Sequence, residues 1–142
     1  MNPPRVGVAV LLAQLGAQAT SQYAERVSAL DFTPGQTGLL RLIAERPGMN
    51  QQTLASLLGV APSKVVALVD DLESRNLVHR RRNTSDRRAT ALHLSTEGET
   101  AVAQLRTIAR EHEAGVTAGL TEPERARLLE LLEKIAAPPN PP

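Results

Sequence analysis

The sequence predicts a mainly α-helical chain carrying one small β-hairpin, set after a run of short helices. Three observations carry that expectation. Apolar residues recur at steps of three and four through six segments, which is how one face of a helix reads. Between residues 77 and 94 the period drops to two, around the turn-forming run Asn83-Thr84-Ser85-Asp86. Thr33-Pro34-Gly35-Gln36 and Thr121-Glu122-Pro123-Glu124 are capping boxes with proline in the first turn, so two helix starts are explicit.

Each element follows from local chemistry. Val8, Leu11, Leu12, Leu15, Ala19, Tyr23, Val27 and Leu30 form one stripe of a first helix over residues 6–30. At about 1.5 Å per residue that helix exceeds 30 Å, too long for one small domain to cover. The Thr33 cap opens a second helix that buries Leu39, Leu40, Leu42 and Ile43 and stops at Pro47-Gly48. Asn50 caps a third, residues 51–58, with Leu54, Leu57 and Leu58 inward, and Gly59 ends it. Pro62 opens a fourth, reaching Arg75, with Val65, Val66, Leu68, Val69 and Leu72 in register. Asn76 follows, a residue that accepts the left-handed conformation common past a helix end. Residues 77–82 and 88–94 read as two strands. Ser95 or Thr96 caps a fifth helix reaching about Gly119, with Val102, Leu105, Ile108 and Ala109 on one side. The Thr121 box opens a sixth that buries Leu128, Leu131, Leu132 and Ile135.

Composition narrows the function classes. A chain of 142 residues is one domain on ordinary expectation. Tyr23 and Phe32 are its only aromatics, so the core is aliphatic. The lack of cysteine excludes disulfides, thiolate metal sites and cysteine redox chemistry. No apolar run of membrane-spanning length and no signal-peptide pattern is present, and the expectation is a cytoplasmic protein. An enzyme is not expected: there is no cysteine nucleophile, no glycine-rich phosphate loop, and no histidine placed with a serine and an acid. The glutamates spread over helical surfaces suit solvation. No cofactor is expected. His112, flanked by Glu111 and Glu113, raises a zinc sensor, but the residues lack metal-ligand spacing and no metal site is expected.

The charge distribution points further. The net charge is only +1, yet residues 75–88 hold six arginines against the single acid Asp86. Guanidinium groups match phosphate oxygens and guanine edges, so this concentration beside a helix-turn-helix pattern suggests duplex DNA. The leucine stripes of the first and last helices exceed what one small module covers, which marks an interface between two copies. A helical bundle within one monomer is the alternative.

Four segments carry a resemblance to the MarR family of bacterial transcription regulators, over residues 6–136. They are Gln52-Thr53-Leu54-Ala55-Ser56-Leu57-Leu58-Gly59-Val60, Val65-Val66-Ala67-Leu68-Val69-Asp70-Asp71-Leu72-Glu73, Leu77-Val78 leading into Ser85-Asp86-Arg87-Arg88 with an Asp-x-Arg signature, and Leu94-Ser95-Thr96-Glu97-Gly98. The resemblance implies a winged helix-turn-helix module at residues 33–94 and a helical dimerisation region at 6–32 and 95–136; the proline-rich ends, 1–5 and 137–142, are expected to be flexible because proline lacks the donor a helix needs. It also implies a homodimeric repressor on a pseudo-palindromic operator, relieved by a small ligand. Ala67 and Asn76 depart from the family, which often has a polar residue and a glycine there. Ala67 removes one candidate base contact.

The expected DNA-binding residues are Pro62, Ser63 and Lys64 at the start of the recognition helix, and Arg80, Arg81, Arg82, Asp86, Arg87 and Arg88 on the wing. Arginine at a hairpin tip is drawn into narrow A·T minor grooves. Asp86 would orient one tip arginine through a charge-assisted hydrogen bond. The resemblance singles out Arg88. Arg80, Arg81 and Arg82 alternate faces along a strand, so at least one points away from DNA. The family's effector pocket would draw on Gln18, Gln22, Tyr23 and Arg26. Two other readings stay open: a winged protein-interaction module without specific DNA binding, and a metal-responsive regulator.

Overall fold

The computed structural model describes residues 5–82 and 90–138. Among these described residues, six helices and one hairpin run in the order α1 (Val8–Ser28), α2 (Pro34–Glu45), α3 (Gln51–Leu58), α4 (Pro62–Ser74), β1 (Val78–Arg82), β2 (Thr90–Leu94), α5 (Thr96–Val116) and α6 (Glu122–Ala136). Local chemistry sets most boundaries. Thr33 and Gln36 close a reciprocal capping box, with Oγ1 accepting the Gln36 N–H at 3.3 Å and Oε1 accepting the Thr33 N–H at 3.0 Å. Asn50 Oδ1 accepts the Thr53 N–H at 2.8 Å, and Ser95 Oγ accepts the Gly98 N–H at 2.9 Å. Gly59 ends α3 in the left-handed conformation, at φ 67°, and Asn76 turns the chain after α4 at φ 60°. The second capping box, Thr121 with Glu124, opens α6. Its two hydrogen bonds from Thr121 hold the Glu124 carboxyl below the usual carboxylate range.

The core gathers around α2, which packs against α1, α3, α4, α5 and β2. Val27, Leu39, Leu40, Ile43, Leu54, Val65, Val69, Leu72 and Leu92 are fully buried there. The hairpin is antiparallel, pairing Val78 with Leu94 and Arg82 with Thr90, and Asn50 adds a bridge to Ala91.

Four expectations need correction. Leu57 and Val66 keep helical register but face solvent, at 47% and 39% exposure, because α3 and α4 each bury a narrower stripe than the leucine and valine runs suggest. The fifth helix stops at Val116. The first strand starts at Val78, since the Leu77 N–H still bonds back to Leu72 across the end of α4. The sixth helix buries nothing within one chain: Leu128, Leu131 and Ile135 are exposed and Leu132 is half-buried. Its tie to α5 includes the Arg125 Nε–H donated to Thr117 Oγ1 at 2.8 Å. Facing it, Val8, Leu11, Leu12 and Leu15 of α1 are also exposed, and an apolar groove of about 460 Å³ lies between the two helices. Among the described residues, no single helix is long and apolar enough to cross a membrane.

Candidate nucleic-acid interface

Between α3 and α4 the chain axis turns by 111°, the angular relation of a helix-turn-helix. Val65, Val69 and Leu72 anchor one side of α4. That leaves Pro62, Ser63, Lys64 and Ala67 exposed together on the other side of its first turns. Ala61 precedes them as a cap without a side-chain hydrogen bond, so the first backbone N–H groups have no side-chain acceptor there. Proline at the start removes the donor that the helix would waste.

The arginines of the basic segment have separate fates. Val78 faces the core, and alternation turns Arg80 to the same side. Its guanidinium meets α4, donating from Nη2 to Asp70 Oδ1 at 2.7 Å and from Nη1 to Glu73 Oε1 at 3.1 Å. Nη2 also reaches Gln51 Oε1 at 3.3 Å, and the Arg80 backbone N–H bonds Glu73 Oε2 at 3.3 Å. Arg80 thereby fastens the root of the hairpin to α3 and α4. Arg75 turns the other way, onto the corner between α1 and α2, where it bonds two carbonyls. Arg81 and Arg82 are exposed near the outer end of β1. Arg81 Nη2 lies 3.3 Å from His79 Nε2. Asp86, Arg87 and Arg88 lie outside the described residues. Of the four arginines of this segment among the described residues, Arg75 and Arg80 are therefore occupied by internal partners that the segment does not contain.

His79 and His93 face each other across the two strands, with ring centroids 6.4 Å apart. Burial, then Arg81, then His79 hold the His93 imidazole below its ordinary value of 6.5. Asp70, Glu73 and Gln51 were not among the expected site residues. Two acids three apart on α4, ahead of a strand rich in arginine, were the available signal.

The four expected effector residues do not converge. Tyr23 sits in a cleft of about 40 Å³ where α1, α2 and α5 meet, and donates its hydroxyl hydrogen to Thr37 Oγ1 at 3.0 Å. Leu105 and Val102 floor that cleft, and Arg41 and Arg106 flank it. Neither arginine pairs with a carboxylate among the described residues. Gln18 and Gln22 line a different groove, of about 160 Å³, against Gly115 and Val116. Arg26 reaches Glu111 at 3.9 Å. His112 packs against the Tyr23 ring at 5.5 Å, and its buried Nδ1 has no partner among the described residues. No three histidine or carboxylate groups converge on a metal position among the described residues.

Comparison with known proteins agrees with this architecture. The model of the MarR family matches residues 32–90. A protein of Thauera aromatica, assigned as a transcriptional regulator for the hcr operon, is 32% identical over 118 residues, 82% of this chain and 71% of that one. An HTH-type transcriptional repressor of Mycobacterium tuberculosis is 26% identical over 127 residues, 89% of this chain and 91% of its own. Among solved structures, the transcriptional repressor CouR bound to a 23-mer DNA duplex superposes with a TM-score of 0.82 at 32% identity, covering 92% of this chain and 93% of that one. The apo form of wild-type MarR from E. coli gives 0.83 at 24% identity, covering 95% and 100%, which speaks to the fold alone.

Proposed function

The chain belongs to the MarR family of transcription regulators, and from that premise we propose that it is a homodimeric repressor that binds a pseudo-palindromic duplex. The observation that carries this reading is the exposed start of α4, with Ser63 and Lys64 in the first turn of a helix to which Arg80 ties a strand that ends in exposed arginines. A helix whose first turn is solvent-facing, positively charged and unencumbered by side-chain caps suits the major groove. Lys64 reads a guanine edge or a phosphate, Ser63 bonds a base edge or phosphate, and Pro62 rests on a thymine methyl. Arg81 and Arg82 contact backbone phosphate. The role proposed for Arg87 and Arg88 is entry into the minor groove, with Asp86 orienting one of them. Arg80 acts at one remove: it aims the wing through Asp70 and Glu73 rather than meeting phosphate.

The division of labour follows the chain. Residues 33–94 form the DNA-binding module, and residues 6–32 with 95–136 form the dimerisation region. The apolar faces of α1 and α6 supply the reason, since each leaves large aliphatic side chains in water within one chain. A second copy covering them would set two α4 helices about one DNA turn, roughly 34 Å, apart. The cleft under Tyr23, about 40 Å³, is the place that a small effector would have to widen in order to bind. It lies between the dimerisation helices and α2, so filling it changes the angle of the module to the dimer.

Selection of bound sequences from a random duplex pool tests this reading. The expected result is an inverted repeat with half-site centres about 10 base pairs apart. Recovery of no common sequence, with binding equal for all duplexes, would refute it.

A further inference from the structure

Arg75 is the C-cap that follows Ser74 at the end of α4, and its side chain leaves the helix for the corner between α1 and α2. Nη1 donates to the carbonyl oxygen of Asp31 at 2.7 Å and Nη2 to that of Leu30 at 3.3 Å. The guanidinium carbon lies 4.2 Å from the centroid of the Phe32 ring. These carbonyls follow the last turn of α1, where Asp31 takes φ 59° and no helix continues to bond them. From the C-terminal end of α4 the arginine thus brings positive charge to the carbonyls left open after α1, where the helix presents negative partial charge. Its flat fork takes two adjacent carbonyls while stacking on the ring, a geometry lysine does not reproduce. Phe32 is itself buried, so the clamp rests on the core.

Arg75 is exposed, and solvent-facing bonds of this kind add little to stability. What they fix is direction. The apolar side of α4 packs through Val65, Val69 and Leu72, which resists separation from α2 more than it resists rocking. The clamp holds the C-terminal end of α4, while Lys64 stands eleven residues away, roughly 17 Å along the axis. A tilt of about 10° therefore moves the reading end by roughly 3 Å, close to the 3.4 Å step between base pairs.

We propose that Arg75 is a positioning residue: its clamp on the Leu30–Asp31 carbonyls and Phe32 fixes the angle of α4 to α1, and through it the half-site spacing that the dimer accepts. This rests on the duplex-binding dimer proposed above, and the test separates the two. The native chain has no cysteine, so Glu25→Cys on α1 and Ser63→Cys on α4 accept spin labels cleanly. Labelled chains diluted with unlabelled chain report the distance within one protomer, with no DNA present. Arg75→Met is expected to broaden or shift that distance by about 2–3 Å. Unlabelled protein is then titrated with the selected duplex and with versions gaining or losing one base pair between half-sites. A native preference of about tenfold or more should fall towards parity in Arg75→Met. The slope of affinity against salt should not change, because Arg75 meets no phosphate. Arg75→Lys, which keeps the charge without the fork, should follow Arg75→Met, and it answers the question if the methionine variant does not fold.

An unchanged label distance overturns the clamp whatever the DNA does. Full rescue by lysine overturns it as well, since charge alone would then suffice. A salt slope shallower by about 1.8 per dimer would make Arg75 a phosphate contact instead. If the parent protein selects no duplex, the DNA reading falls, and the label distances still decide the clamp.

Discussion

Replacing Gly98 by alanine should cost about 2–4 kcal/mol, because this glycine is where α5 meets the root of the wing. Its backbone is helical, so alanine would ordinarily gain about 1 kcal/mol there. Space decides otherwise. A Cβ would collide with the Leu77 carbonyl oxygen and stand 3.1 Å from that carbonyl's carbon and 3.3 Å from Leu94 Cδ2. The first obstacle is backbone, and it is engaged: the same oxygen accepts the Ser95 N–H at 3.0 Å. Ser95 in turn caps α5 through Gly98 and donates its hydroxyl to the Asn76 carbonyl at 2.6 Å. Relief requires α5 to move off the strand, which strains a cap worth about 1 kcal/mol and a backbone bond worth about 1 kcal/mol. Adding overpacking of about 1–3 kcal/mol and subtracting the propensity gain gives the stated range. Urea unfolding followed by far-ultraviolet circular dichroism, at fixed protein concentration, reads the difference. An alanine variant as stable as the parent would refute the packing argument at this joint.

Four further outcomes follow from the same structure. Arg80→Ala should lower stability by up to about 1 kcal/mol through its paired acids while leaving the salt slope of DNA binding intact. Arg82→Ala should leave stability within about 0.5 kcal/mol and reduce that slope by about 1.8 per dimer; the opposite pattern would exchange their roles. Leu128→Glu with Leu132→Glu should give monomers by sedimentation, and a persisting dimer would place the interface elsewhere. His93 titrates below 6.5 when folded, so the unfolded chain takes up its proton first as pH falls. Its contribution is complete above 6.5 and is lost as pH drops through the folded value, so acidification should lower the melting temperature less in His93→Gln than in the parent.

The helix starts were legible because a cap is a local device. Thr33 with Gln36, Asn50 with Thr53 and Thr121 with Glu124 each bond within three residues, and each forms as the spacing predicts. Apolar periodicity located every helix but overstated some faces. Leu57 and Val66 have the right residue type in the right register, yet the stripe that packs is narrower than the stripe that is apolar. The site was legible by type and not by role. Arg75 and Arg80 belong to the same basic segment as Arg82, yet their partners lie on the α1–α2 corner and on α3 and α4. No local pattern assigns a guanidinium to a carbonyl 44 residues away. Arg41 and Arg106 came to flank Tyr23 for the same reason: they sit on helices that meet only after folding.

By itself the sequence determined the elements, their order, their caps and the presence of basic charge late in the helix-turn-helix, since each rests on neighbours a few residues apart. Only the tertiary structure decided which arginines tie helices together and which face outward, and that one chain leaves the leucines of α1 and α6 in water. A charge finds its partner, and an apolar stripe its cover, through distances that exist only once the helices have packed.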